Sequence, residues 1–239
     1  MNLQAQTRAA WQPDNAVIAA LVAGRHGDPF ALLGMHARGD APLSVRVFWP
    51  GAESITVIES ATGEAVAKLQ KLHPDGFFAG AIAQRRQPFA YRLRLTRGDA
   101  TWEAEDAYRF PPVLGALDVY LMAEGSHRRI FERLGAHPCS IEGVSGASFA
   151  VWAPNAQRVS VVGDFNDWDG RRHPMRKRVE AGTWEIFIPG IEKGTLYKYE
   201  LLGENGKLLP LKTDPIGFEQ EMPPSTASRL VGANSPIGW

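Results

Sequence analysis

The sequence predicts a mainly β protein: two tandem immunoglobulin-like β-sandwiches with a short N-terminal helix and a partly helical linker. Three observations carry this expectation. Apolar and polar residues alternate with a period of two, turn-forming residues separate the alternating runs, and the second half of the chain repeats features of the first. The first element is a helix at about Asp14 to Arg25, where Val17, Ile18, Leu21 and Val22 recur at helical spacing. Asp14 can cap it and Gly24 and Gly27 stop it. Strands follow. Leu43, Val45, Val47 and Trp49 alternate with Ser44, Arg46 and Phe48, the pattern of a strand with one buried face. Further strands are expected at Ser54–Glu59, Phe77–Ala83, Phe89–Thr96 and Thr101–Glu105, with turns at Ala61–Glu64 and Pro74–Gly76. Strands without helices between them predict a sandwich.

From Pro111 to Ala147 the alternation is lost, and Leu117–Met122 and His127–Leu134 read as short helices in a connection. Strand patterns resume at Ser148–Trp152, Arg158–Gly163, Thr183–Ile188 and Thr195–Leu202. The halves also match in order. Leu33–His36 resembles Leu134–His137 at a spacing of 101, and Val47–Pro50 resembles Val151–Pro154 at 104. Ser54–Val57 parallels Arg158–Val161 at 104, Phe89–Leu95 parallels Thr195–Leu201 at 106, and Asp106–Phe110 parallels Asp214–Phe218 at 108. The slow drift is what small loop insertions produce. Two copies are too few for a solenoid, so the repeat divides the chain into two sandwiches of about 100 residues each. The expected boundaries are a lead-in at 1–27, a first sandwich at 28–112, a linker at 113–140, a second sandwich at 141–230 and a connection at 231–239.

Composition excludes several function classes. The 239 residues carry 26 Lys plus Arg against 26 Asp plus Glu, so nothing draws the chain generally to phosphate backbones or anionic membranes. Neither a nucleic-acid nor a membrane partner is expected. The apolar run Ala16–Ala23 falls far short of the roughly 20 residues of a spanning helix. One cysteine, Cys139, rules out an internal disulfide framework and a multi-cysteine zinc site. A cytoplasmic location follows as an expectation. There is no Gly-x-Ser-x-Gly elbow, Walker-type loop or dinucleotide fingerprint. Asp14, Asp28 and Glu142 form no acid/base constellation, so no catalytic residue, metal or cofactor is expected. His36 recurs in the repeat as His137, which fits a shared structural corner better than two ligands.

The second copy has one element that the first lacks, Gly163-Asp164-Phe165-Asn166-Asp167-Trp168-Asp169-Gly170, followed by the basic stretch Arg171–Arg178. Its carboxylates invite a calcium reading, but an EF-hand needs an oxygen ligand where Trp168 stands and Gly where Asp169 stands, one residue before Gly170. Asp164, Asn166 and Asp167 are turn formers whose side chains can bond nearby backbone. Trp168 then either presents its indole at the sheet edge, where an apolar sugar face can stack on it, or folds back to plug the sandwich.

With Trp152-Ala153-Pro154 upstream and Tyr197-Lys198-Tyr199 downstream, Gly163–Trp168 resembles the glycogen-binding modules that precede many amylase-family catalytic domains. His26–His36, reading HGDPFALLGMH, and Thr213–Ser228 narrow the resemblance to the amino-terminal region of bacterial glycogen (1,4-α-glucan) branching enzymes of the two-module type. It covers essentially Arg25 to Arg229. Trp-Ala-Pro and Gly-Asp-Phe-Asn-x-Trp alone also occur in isoamylases.

The resemblance implies glucan contacts at Trp168 and Lys198, with Asn166 and Trp184 as lesser candidates. Trp184 lies in the strand-like run Trp184–Ile188, which suits a core position. Some members use a second Trp shortly after the Lys; this chain has Asn205-Gly206-Lys207-Leu208 there instead. The implied parent reaction cleaves α-1,4-glucan chains and transfers them to form α-1,6 branches, with retaining carboxylate chemistry carried by a (β/α)₈ barrel. Only ten residues follow Arg229, so this chain is expected to hold α-1,4-glucan or glycogen and tune chain length without a barrel of its own. The barrel of the parent is the other implied partner. A free-standing glucan-binding scaffold and a protein-binding sandwich are the rival readings.

Overall fold

The computed structural model describes residues 11–232 apart from residues 38, 40 and 84. It is mainly β and divides into two units. One contains the residues up to Val22 together with Leu32–Arg109, and the other contains Ala23–Ala31 and the chain from Phe110.

The first unit contains α1 (Asn15–Val22), β1 (Gly34–His36), β2 (Leu43–Phe48), β3 (Ser54–Glu59), β4 (Ala65–His73), β5 (Phe77–Ile82), β6 (Tyr91–Arg97) and β7 (Ala100–Glu105). The strands form one antiparallel sheet in the order β1-β2-β5-β4-β3-β6-β7. Register shifts at Val57/Ile58 and Lys71/His73 lie along β4, which pairs with β3 on one side and β5 on the other. Such irregularities let a strand pass from one layer of a sandwich to the other. Between the layers, Val45, Val47 and Phe78 meet Ile55, Val57, Leu93 and Leu95 in one core cluster.

The alternation in β2 predicts one buried face, but all six of its residues are buried. The cause is α1, which lays Ile18, Leu21 and Val22 over Phe48, Phe77 and Ala79 on the outward face. Asp14 contributes the carbonyl that accepts the first helical bond, from the Ile18 N–H at 3.0 Å. Arg46 is 1% exposed, and it donates to the Trp11 and Leu32 carbonyls at 3.2 and 3.5 Å. Carbonyl acceptors offset part of the cost of taking a guanidinium out of water.

The second unit contains α2 (Ala116–Ala123), β8 (Gly135–Ile141), β9 (Val144–Trp152), β10 (Arg158–Val162), β11 (Arg176–Arg178), β12 (Thr183–Pro189), β13 (Leu196–Leu202), β14 (Glu219–Gln220) and β15 (Ser228–Arg229). Two four-stranded sheets result, β11-β12-β9-β8 and β10-β13-β15-β14. Phe149 of the first meets Tyr197 of the second edge-on, ring centroids 5.1 Å apart, in the core.

The stretch 113–140, expected as a linker, is built into this unit. Leu114 and Val119 bury against Ala150 and Ala181, and β8 pairs with β9 along its whole length. Glu142 and Gly143, at φ 52° and 77°, make the two-residue turn between those strands. Gly146 follows two residues after Val144. It sits inside β9 where a Cβ would stand 2.8 Å from the Phe187 ring, so close packing demands Gly. The repeat also reaches further back than the sequence alone indicates, because α1 and α2 lie 101 residues apart, as do the 3₁₀ turns Pro29–Ala31 and Ile130–Glu132. The expected connection at 231–239 falls outside the described residues from 233 on, as does the lead-in before residue 11.

Shared corners hold the two copies in the same form. His36 and His137 bond the Leu33 and Leu134 carbonyls at 2.8 and 2.9 Å, in line with the structural role expected of them. The buried Tyr91 hydroxyl donates to Asp106 at 2.6 Å, and the buried Tyr197 hydroxyl donates to Asp214 at the same distance. Each aspartate also accepts the N–H two residues on, of Tyr108 or Ile216. Burial raises both aspartate pKa values, and the bonds from the tyrosine hydroxyls offset part of that rise.

Candidate functional site

The copies part company after β3 and β10. In the first unit Ser60–Glu64 closes a short hairpin into β4, with the Gly63 N–H on the Glu59 carbonyl at 2.8 Å. In the second, Gly163–Met175 intervenes before β11, and β11 pairs only with β12. The extra chain is what carries Trp168.

Its conformation follows from one buried side chain. Asp164–Asn166 form a single 3₁₀ turn, after which Asp167 and Trp168 both take left-handed φ values, 56° and 57°. That region is costly for a bulky residue and persists only where surrounding bonds impose it. Asn166 supplies those bonds. It is 0% exposed; its Oδ1 accepts the Gly163 N–H at 3.0 Å, and its Nδ2 donates to the Val161 carbonyl at 2.8 Å and to His173 Nδ1 at 2.9 Å. The Trp168 N–H completes the turn on the Gly163 carbonyl at 3.0 Å. His173 must stay neutral to accept from Asn166, and it does: burial, helped by the neighbouring Arg172 charge, lowers its pKa to about 3.

The loop is then fastened across the outward face of β10 and β13. Arg158 donates to the Gly170 carbonyl and to Glu200 Oε1, both at 2.5 Å, and to Ser160 Oγ at 2.8 Å. A Cβ at Gly170 would collide with the Glu200 carboxylate, which would have to move off Arg158 to admit it. Asp169 accepts from Arg171 at 2.8–3.1 Å; burial opposes its ionisation, but those bonds and the Arg171 charge hold its pKa below the usual carboxylate range.

The four expected contact residues separate into two pairs. Trp168 is half-buried, its indole N–H held by Asp164 Oδ1 at 2.7 Å. Lys198 pairs with Val162, the residue before Gly163, so both lie at one end of the β10–β13 ladder. Its ammonium reaches Thr226 Oγ1 at 2.7 Å. Asn166 and Trp184 are buried. The polar atoms of Asn166 are committed to the turn. Trp184 is 0% exposed, donates to the Ala153 carbonyl at 3.0 Å and lies under Lys177 Nζ, 5.2 Å from its ring. The reach of His173 into the turn was not legible in the sequence. Its one signal is that it lies in the segment missing from the first copy.

Among the described residues no three His, Cys, Asp or Glu side chains group to hold a metal, and no helix is long and apolar enough to cross a membrane.

Two family models match the chain. Residues 133–217 match the family model of carbohydrate-binding module 48 (isoamylase N-terminal domain), and residues 14–108 match that of the alpha-1,4-glucan branching enzyme GlgB, N-terminal domain. The chain is 59% identical over 215 residues to the 1,4-alpha-glucan branching enzyme GlgB of Cereibacter sphaeroides. It is 57% identical over 210 residues to that of Paramagnetospirillum magneticum and 53% identical over 208 residues to that of Roseobacter denitrificans. These matches take in 87–90% of this chain but 27–29% of the relatives, so the chain spans under a third of their length.

Proposed function

Given that the chain belongs to the amino-terminal region of the 1,4-α-glucan branching enzymes, we propose that it holds α-glucan at the Trp168 turn for the catalytic barrel of its parent. Trp168 offers its ring to the apolar face of a glucose unit, and Lys198 and Thr226 take hydroxyls beside it. The parent reaction in this reading cleaves an α-1,4 linkage and transfers the chain to a 6-hydroxyl, in the cytoplasm where glycogen is made. The first unit, which has a five-residue hairpin where the second has the Trp turn, tunes the transferred length or packs against the rest of the parent. The exposed Leu117, Tyr120 and Phe131 of the second unit suit such packing against the barrel.

The observation that carries the reading is the buried Asn166–His173 bonding that imposes a left-handed Trp168 at a surface edge. A turn built at that cost to display an aromatic ring is a ligand platform. Calorimetric titration with maltoheptaose tests it. The wild-type chain should show weak, saturable binding, and Trp168→Ala should weaken it by about tenfold or more. No heat from either protein at millimolar sugar sinks the reading. An assay for new α-1,6 linkages on this chain alone should stay at background.

A further inference from the structure

A second concave site lies at the opposite end of the same ladder. Its walls are the β9–β10 turn, Trp152–Ala156, and the hairpin after β13, Leu201–Leu209, enclosing about 700 Å³. The five residues of β10 separate it from the Trp168 turn by roughly 15 Å at about 3.3 Å per residue.

We propose that this trough is a second α-glucan subsite with Trp152 as its stacking platform. The proposal rests on the glucan-binding reading above and extends it to residues that reading does not use. Trp152 is 62% exposed, whereas its counterpart in the repeat, Phe48, is 5% exposed beneath α1. The trough is a built site. Beneath it, the Ala153 carbonyl is held by the Trp184 indole N–H, and the Pro154 and Ala156 carbonyls by Lys177 Nζ at 3.3 Å each. The buried Trp184 thus supports this turn from below. On the other wall Gln157 Nε2 ties the Glu204 carbonyl at 2.7 Å, and Asn205 Oδ1 accepts the Lys207 N–H at 3.1 Å.

A glycine packs closely against the β9–β10 turn. A Cβ at Gly182, where φ is 62°, would stand 2.8 Å from the Pro154 ring and 3.5 Å from Trp152 Nε1. The lining presents an indole, Pro154 and Leu209 for C–H faces, with the amides of Asn155 and Asn205 and the Glu204 carboxylate for hydroxyls. It has one carboxylate and no cation, which disfavours an anionic ligand and suits a neutral sugar chain. Two shallow sites on one rigid ladder let a single chain engage both, which raises avidity without any new contact.

NMR titration of the whole chain with maltoheptaose, reading the assigned indole N–H signals of Trp152 and Trp168, tests the assignment. Trp152 and the Asn155 and Asn205 amides should shift saturably, and should still do so in Trp168→Ala. Trp152→Ala should remove those shifts and leave the Trp168 response within about twofold. Asn155→Ala, a milder change at an exposed position, should weaken the Trp152 site by about threefold or more. If Trp168 shifts and Trp152 does not, the second subsite is overturned while the proposed function stands. If neither shifts, both fall. Equal shifts with cellohexaose overturn the α-glucan assignment at Trp152.

Discussion

The two units are copies that keep their corners and differ at their surfaces. Both bury a Tyr–Asp hydrogen bond, both bring a His onto a Leu carbonyl, and each contains one eight-residue helix. Yet the first passes directly from β3 to β4 and zips its sheet into one, while the second leaves its two sheets separate and fills the gap with the Trp168 loop. The helices differ in the same sense. α1 buries three side chains, whereas α2 buries only Val119 and exposes Leu117 and Tyr120. The comparison teaches that corners fix the sandwich, whereas the edges and outward faces are open to change and carry the candidate sites.

The shared corner can be broken in both copies. Asp214 serves two tyrosine hydroxyls, of Tyr197 and Tyr199, where Asp106 serves that of Tyr91. Asp214→Ala should cost about 4 kcal/mol and Asp106→Ala about 2–3 kcal/mol, read from urea unfolding, because buried donors are left unpaired. Equal losses would show that the extra tyrosine adds nothing. Next come the helices: Leu21→Ala should cost about 3 kcal/mol and Met122→Ala, its half-buried counterpart, about 1 kcal/mol.

Then come the turns. Asn166→Ala should cost about 2–3 kcal/mol and abolish sugar binding at Trp168, while Thr62→Ala in the first hairpin should cost about 0.5 kcal/mol. A protein that binds maltoheptaose normally without Asn166 would separate the turn from the site. Acid acts on one copy alone. His173 titrates near 6.5 when unfolded and near 3 in the fold, so the unfolded chain takes up a proton that the fold refuses. The stability from neutral His173 is complete above about pH 6.5 and falls with pH, to about 2 kcal/mol less at pH 5 than at pH 7. The buried Asp106 and Asp214 act in the opposite direction, but in both units alike. His173→Gln should therefore remove most of the stability difference between pH 7 and pH 5, read from urea unfolding at the two pH values.

Much of this was legible from residue order. Alternation placed β2 and β3, and the matching offsets announced two copies before any contact was known. β8 escaped because Gly135-Ala136-His137-Pro138 has neither alternation nor β-branched residues. Its pairing partner β9, and not its own propensity, makes it a strand. β4 escaped for a similar reason, since Ala65–His73 has little alternation and mixed burial.

The sequence by itself determined the repeat and the class of fold, because periodicity and the spacing of the copies are properties of residue order, and its motifs carried the resemblance to a family. Only tertiary structure decided which aromatic side chains face outward. Trp152, Trp168 and Trp184 are chemically identical in the sequence, yet one is exposed, one half-buried and one sealed. Exposure depends on what packs over each ring: open space beside the β13 hairpin, the turn held by Asn166, or the β9–β10 turn and Lys177. Those neighbours are distant in the chain and meet only when it folds.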